Sequence, residues 1–271
     1  MIDKNVFMLC EGIVEEDVGT LAGDLKANIK YDGERVLAIR KGQDVILMNR
    51  RSRVVNLQFP EIVSDIKRLD VQSCILDGEI VAYDGNFNKL QSRALTQNPY
   101  KVKKLLTTIP CYYMAFDILQ YDGKTITTLP LKQRLAYLDK SIPDDNDSLL
   151  FIDKVEYGDI SLMLKKAQEG KREGIVIKDM NSYYESRRSK AWRKLKFFKE
   201  TAIVVTHYTQ NSMGIRAEDD SGNAVQIAGR KGEEVKGLID RQKAIPICVQ
   251  YLEKTAGGRF RFPSFRGLAN G

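Results

Sequence analysis

Apolar and polar residues alternate through Leu25, Ala27 and Ile29, and the alternation returns at Val36, Leu37 and Ile39. A period of two is the mark of a strand with one face buried. Lys30-Tyr31-Asp32-Gly33-Glu34-Arg35 lies between the two runs, and its Asp-Gly pair predicts a hairpin turn joining them. Met8-Leu9 followed by Leu21 to Leu25 predicts an entry strand or arm. Val36–Arg40 and Val45–Met48 predict two strands turned at Gly42. Phe59-Pro60-Glu61 opens a helix with Ile62, Ile66 and Leu69 at helical spacing. Cys74–Asp77 and Ile80–Tyr83 predict strands either side of an Asp77-Gly78-Glu79 turn. Short helices are expected at Leu90–Thr96 and Lys101–Thr107, then a buried strand at Tyr112–Leu119. A helix introduced by Pro130 (Leu131–Asp139), a strand (Leu149–Val155), an amphipathic helix (Ile160–Glu169) and strands at Gly174–Lys178 and Lys194–Phe198 follow.

These elements mix without regular βαβ alternation, which predicts an α+β fold with a largely antiparallel sheet over residues 1–200. The texture changes near Glu200-Thr201. Ala202–Tyr208, Gly214–Glu218, Ala224–Ala228 and Ile247–Leu252 are short strands, interrupted by one helix, Glu233–Gln242. Residues 201–271 therefore predict a small all-β domain of OB-fold type. No apolar run approaches the roughly 20 residues of a membrane helix, and no signal peptide is visible at the N-terminus. A cytoplasmic or nucleoid-associated monomer is the expectation. The four cysteines are scattered and read as reduced thiols. A single histidine, His207, makes a Ser-His-Asp triad or a histidine zinc site improbable.

Net charge is +7, a modest argument for a polyanionic partner. Its distribution says more. Arg187, Arg188, Lys190, Arg193, Lys194, Lys196 and Lys199 follow one another with no acid among them. They interleave with Trp192, Leu195, Phe197 and Phe198, so a strand with a basic face is predicted. Gly123-Lys124-Thr125 resembles the end of a phosphate-binding loop, but Ile118 stands where that loop needs glycine, and no G-x-G-x-x-G occurs. The alternative is a site assembled from several strands: Lys30, Glu79, Phe116, Glu173, and Lys194 with Lys196. A lysine that attacks a nucleotide phosphate needs carboxylate-held metal, cations for the leaving group and an aromatic face for the base. It must also shed a proton, roughly three pKa units below a free lysine near ~10.4.

In these residues the chain resembles the ATP-dependent DNA ligases of the covalent nucleotidyltransferase superfamily. Lys30–Arg35 matches K-x-D-G-x-R, and Leu47–Ser52 with Phe59-Pro60-Glu61 is similar to the S-R-N-G segment and its F-P-E. Asp77-Gly78-Glu79-Ile80 matches D-G-E-I/L. Phe116-Asp117-Ile118-Leu119 matches F-D-I-L, and Pro130-Leu131 with Arg134 is similar to P-L-x-x-R. Glu173-Gly174-Ile175-Val176 with Lys178 matches E-G-I/V-V-x-K, and Trp192–Lys196 matches W-x-K-x-K. Arg261–Leu268 resembles the R-x-P-S-F-x-G-L form found in ligase modules of end-joining enzymes.

The resemblance implies a nucleotidyltransferase (adenylation) domain followed by an OB-fold domain. It implies sealing of nicked double-stranded DNA in three steps: Lys30 attacks ATP to form lysyl-AMP, AMP passes to the 5′-phosphate, and the 3′-hydroxyl displaces AMP. It implies nucleotide contacts from Ile29, Arg35, Arg50, Glu79, Phe116, Lys178, Lys194 and Lys196. Phe116 is expected to stack on adenine, and Glu79 and Glu173 to hold Mg²⁺ or Mn²⁺. Arg261 and Arg266 are expected to orient pyrophosphate, with the second domain closing and swinging away. Asn28 replaces the family's glutamate, only the arginine of S-R-N-G is kept, and the chain stops where an R-x-D-K-like tail is expected. With no large N-terminal DNA-binding domain, a minimal ligase is expected, gripping DNA alone or through an accessory repair or replication protein. The competing readings are an RNA ligase or capping guanylyltransferase, a non-catalytic nucleic-acid-binding relative, and a plain basic structural protein.

Overall fold

The computed structural model describes residues 6–142, 149–255 and 257–269. The chain divides into two compact units, Met1–Leu195 and Lys196–Gly271, each with an apolar core of its own. In chain order the first unit carries β1 (Leu9–Ile13), β2 (Leu25–Lys30), β3 (Glu34–Lys41), β4 (Asp44–Asn49), β5 (Ser73–Ala82) and β6 (Cys111–Tyr121). After them come β7 (Lys124–Thr125), β8 (Ile152–Lys154), β9 (Gly174–Asp179) and β10 (Arg188–Lys196). Its helices are α1 (Pro60–Arg68), α2 (Phe87–Ala94), α3 (Pro99–Thr108), α4 (Leu131–Ser141) and α5 (Ile160–Glu169).

Two sheets result. One has the order β1-β10-β9-β2; the other runs β4-β3-β5-β6-β7, with β8 also on β6. Most described pairings are antiparallel; β1 with β10 and β6 with β8 are parallel. The unit is thus mixed α/β, with the helices laid against its sheets. Helix α1 starts at a proline, whose missing N–H has no partner to lose in a first turn. It buries Ile62 and Ile66, one face of a 3.6-residue period. Helices α2 and α3 are capped by Asn86 and Asn98, whose side-chain oxygens accept from first-turn N–H groups.

Two expected turns are absent. β2 and β3 are not a hairpin: β2 pairs with β9 in one sheet, β3 with β4 and β5 in the other. The Lys30–Glu34 link therefore steps between sheets. Gly33 is needed there for approach, since a Cβ would lie 2.2 Å from the Ile80 carbonyl oxygen. Asp77-Gly78-Glu79 is likewise no turn but the middle of β5, one unbroken strand. A Cβ on Gly78 would meet the Tyr113 ring at 2.5 Å, so this glycine admits a cross-strand aromatic. The strand expected at Lys194–Phe198 is instead β10, which starts earlier and ends before Phe197.

Three buried arginine–carboxylate pairs tie distant segments together. Arg134 of α4 holds Asp117 of β6 by two bonds of 2.8 Å, with both side chains fully buried. Arg93 of α2 pairs with Glu61 of α1. Arg35 of β3 pairs with Asp77 of β5 at 3.0 and 2.7 Å. The Arg134 and Arg35 forks match their carboxylates bidentately, whereas Arg93 makes a single bond to Glu61.

The second unit carries β11 (Lys199–Val205), β12 (His207–Asn211), β13 (Gly214–Glu218), β14 (Ala224–Ile227), α6 (Gly229–Gln242), β15 (Ile245–Tyr251), β16 (Glu253–Lys254), β17 (Phe260–Arg261) and β18 (Ser264–Leu268). β11-β15-β18 and β12-β13-β14 form two three-stranded sheets around Val205, Ile215, Val225, Ile239 and Ile247. The run Ala202–Tyr208, expected as one strand, breaks at Thr206 into β11 and β12. All four cysteines are free. Among the described residues, no helix is long and apolar enough to cross a membrane.

Candidate nucleotide-binding site

A pocket in the first unit takes walls from both sheets. Lys30 comes from the end of β2, Glu79 from β5, Phe116 from β6, Lys178 from β9, and Trp192 with Lys194 from β10. Strand alternation explains the assembly. Asn28 and Lys30 share one face of β2, and Val176 and Lys178 share one face of β9, with Asn28 opposite Val176. Trp192 and Lys194 share a face of β10 in the same way. Ile29, Arg35 and Arg50 complete the nucleotide contacts expected in this unit, and all three line the pocket.

Lys30 is opposite Gly174 in the ladder, so Glu173 is one residue beyond. Lys30 Nζ donates to Glu173 Oε2 at 2.6 Å, and Glu173 is almost wholly buried. Burial alone pulls the Lys30 ammonium down. The charge and bond of Glu173, helped by Glu79 and Asp32, outweigh it and hold Lys30 above its ordinary value. Burial pushes the Glu79 carboxyl up to about 8, against the pull of Lys30 and Arg35. The resting site therefore holds a charged Lys30 bonded to Glu173, with Glu79 largely protonated at neutral pH.

Lys178 is the opposite case. Burial lowers it to about 8 despite Asp117 nearby. Its Nζ donates to Tyr157 Oη at 2.6 Å and lies 4.4 Å from the Phe116 ring centre and 3.9 Å from that of Trp192. The Phe116 ring meets Trp192 edge-on at 6.0 Å. Arg35, expected to reach phosphate or ribose, spends its fork on Asp77 and on the Met8 carbonyl oxygen while its guanidinium lies over Phe116. It stiffens the wall it lines.

Two polar atoms in the wall are buried without a partner among the described residues: Asn28 Oδ1 and Trp192 Nε1. Asn28 Nδ2 donates to the Ile29 carbonyl oxygen at 2.8 Å, which fixes the amide so that Oδ1 is the unpaired atom. Buried orphans in a native wall call for an explanation, and a ligand supplies one.

Lys196, Arg261 and Arg266 belong to the second unit. There Lys196 Nζ lies 4.9 Å from the Phe262 ring centre, Arg261 pairs with Glu253, and Arg266 is 3.6 Å from Glu200. Sequence reasoning missed Tyr157 and Tyr184. Tyr157 Oη donates to the Phe116 carbonyl oxygen at 2.7 Å, and Tyr184 Oη donates to Asp77 Oδ2 at 2.7 Å. Neither lies in a motif, and no local pattern marks a contact 107 residues away in sequence.

A lysine held between carboxylates at the meeting of two sheets defines a class of site, one built for chemistry at a phosphate. The family model for the ATP dependent DNA ligase domain matches residues 8–196. The chain belongs to that family. It is 31% identical over 209 residues to a DNA ligase 2 of Thermofilum pendens, covering 73% of this chain and 35% of the relative. It is 29% identical over 242 residues to a probable DNA ligase of Saccharopolyspora erythraea, covering 83% and 45%. The chain thus spans less than half the length of these curated relatives. Among solved structures, a Lig E DNA ligase shares the fold with a TM-score of 0.73 at 16% identity, covering 99% of this chain and 100% of that one. A mycobacterial DNA ligase D complexed with ATP and MES gives 0.61 at 19%, covering 99% and 96%.

Proposed function

We propose that this chain is the catalytic module of an ATP-dependent DNA ligase that seals nicks between a 5′-phosphate and a 3′-hydroxyl. The observation that carries the reading is Lys30, held at 2.6 Å from Glu173 in a pocket that also presents Glu79, Lys178 and Lys194. In the first step the Lys30 nitrogen attacks the α-phosphorus of ATP. An N–P bond forms, the bond to the β-phosphate oxygen breaks, and pyrophosphate leaves with its electron pair. The proton leaves Nζ along its existing bond to Glu173 Oε2. Lys178 and Lys194 are the cations placed to take up charge on the α-phosphate. Phe116 gives the base an aromatic wall, and Arg50 is an exposed cation at the rim.

Glu79 and Glu173 suit Mg²⁺ or Mn²⁺. Two carboxylates are a normal protein share for such an ion, with phosphate oxygens and water completing its shell. Burial, with a smaller push from Asp77 and Glu173, holds the Glu79 carboxyl up, and a bound cation would favour its ionised form. When bound, the ion neutralises phosphate charge.

The second unit is read as an OB fold. Its support is two small antiparallel sheets around one core, with α6 inserted between β14 and β15. Nicked duplex DNA is its proposed ligand, with the chain acting as a monomer or beside an accessory repair or replication protein.

The direct test incubates the protein with labelled ATP or GTP and Mg²⁺, then offers nicked DNA or RNA duplexes. Covalent label from ATP and sealing of DNA are expected. Absence of label in protein shown to be free of pre-bound AMP overturns the enzyme reading, and label from GTP alone moves it to the capping class.

Labelling should climb as pH rises from about 6.5 to 9, because both Lys30 and Glu79 must lose protons and both are held upward. Glu173→Gln removes the main support of the Lys30 ammonium. Its pKa then falls, so Lys30 should react faster with an amine-acylating reagent near pH 9, read by peptide mass spectrometry. ATP labelling should nevertheless drop about 10–100-fold, through loss of the proton's path and of a carboxylate. Slower acylation in the variant contradicts this account.

Asn28 keeps an acceptor where the family places glutamate. Its unpaired Oδ1 suits the adenine amino group and opposes the carbonyl of guanine, and Nδ2 is held by Ile29. An unmatched buried acceptor costs about 1–3 kcal/mol. Asn28→Ala should therefore reduce the ATP-over-GTP preference in labelling by roughly tenfold. An unchanged preference removes Asn28 from base reading.

A further inference from the structure

From Gly85 to Phe116 the chain has five basic residues and no acid: Lys89, Arg93, Lys101, Lys103 and Lys104. Two of the five are spoken for. Lys89 pairs with Asp84, and Arg93 is buried against Glu61. The other three are exposed on α3, and no ion pair involves them among the described residues. Helix α3 rests on one fully buried side chain, Val102. Its outer face presents Tyr100, Lys103, Lys104 and Thr107 at the i, i+3, i+4, i+7 spacing of one stripe, with Lys101 beside it. Tyr100 is 88% exposed, and Leu95, just before the helix, is 68% exposed.

A solvated lysine face normally mixes signs and omits large exposed rings. Here three cations and an exposed tyrosine share a face with no carboxylate in the surrounding segment. That set matches phosphate and sugar, which take Lys and Tyr donors without regard to sequence. The position also fits. The C-terminal end of α3 is tied to the end of β5, where the Tyr83 N–H donates to the Pro110 carbonyl oxygen at 2.9 Å. Glu79 is four residues back along β5, roughly 13 Å at a strand's rise per residue. A few base pairs of duplex cover that length.

We propose that the outer face of α3 is a backbone-gripping contact for duplex DNA flanking the nick. The inference rests on the ligase reading and adds a surface to it. The test is a triple charge reversal, Lys101→Glu with Lys103→Glu and Lys104→Glu. Binding to a nicked duplex is measured across a salt series, on a long duplex and on one ending within a few base pairs of the nick. Each lost phosphate contact lowers the slope of log K against log salt by about 0.9. The triple variant should lose up to about 2.7 units of slope and at least about tenfold in affinity on the long duplex. It should lose little on the short one, with ATP labelling and the unfolding midpoint as in the wild type. Tyr100→Ala should weaken long-duplex binding about threefold without changing the slope, as loss of a stacking or sugar contact does. Unchanged slope and affinity on the long duplex, in a variant that still takes label, overturn the proposal. So does a loss confined to binding of an acidic peptide. Failure of the wild type to take label from ATP strikes the ligase reading instead, so the two failures are distinguishable.

Discussion

Lys30→Ala should take up no label from ATP, and its overall sealing of a nick should fall by about 10⁴-fold or more. The size follows from the chemistry. The nitrogen that forms the N–P bond is gone, and no other lysine can replace it in place. Lys178 lines the same pocket, but its Nζ is held by Tyr157 and against the Phe116 and Trp192 rings. Lys194 is on β10, across the pocket wall from β2. Lys30→Arg should be as inactive, because a guanidinium keeps its charge and offers no lone pair. Both variants should still seal a nick whose 5′-phosphate has been adenylated beforehand, since that step consumes the 3′-hydroxyl and needs no lysyl-AMP. Gel assays of label uptake and of sealing on the two substrates separate these steps. Label on the Lys30→Ala protein means that another residue is the nucleophile.

Arg134→Ala should be the most destabilising single change in the first unit, by about 3–5 kcal/mol. Asp117 is fully buried and bonded to Arg134 through both oxygens. Arg134 also donates to the carbonyl oxygens of Leu129 and Ser182, at 2.6 and 3.0 Å. Truncation leaves a carboxylate without a counter-charge and takes a donor from two carbonyls, of which Ser182 keeps the Leu131 N–H. For a unit of this size the loss amounts to roughly 6–20 °C in the thermal midpoint. Replacing both partners, Asp117→Leu with Arg134→Met, should recover a good part of it, because no charge is then stranded. Thermal or denaturant unfolding checks both variants. A double variant no better than Arg134→Ala contradicts the stranded-charge explanation. The adjacent Phe116 points to the other face of β6, into the pocket wall, so nucleotide binding should weaken along with stability.

The same pair shows where sequence reading reached and where it stopped. F-D-I-L and P-L-x-x-R were legible as motifs, but not that Asp117 and Arg134 answer each other across the core. F-P-E and Arg93 are similar, since Glu61 and Arg93 are a buried pair and not a ligand set. Helices α1, α4 and α5 were legible because a 3.6-residue period is local. The turns assigned at Asp32-Gly33 and Asp77-Gly78 were wrong because glycine serves two ends: left-handed backbone, or close approach of another chain segment. Both positions turned out to be the second kind, and only the neighbouring strand reveals that.

By itself the sequence determined the chemistry available at Lys30–Arg35. It supplied one lysine of the right motif, the carboxylates Glu79 and Glu173, the aromatic Phe116 and the cations Lys178 and Lys194, in an order that marks the family. The tertiary structure alone decided their states. Pairing β2 with β9 sets Glu173 against Lys30 and keeps the proposed nucleophile protonated at rest. Stepping from β2 to β3 across two sheets, where a hairpin was expected, brings Lys30 and Glu79 into one pocket. Charge state depends on burial and on neighbours distant in the chain, and these exist only once the sheets have formed.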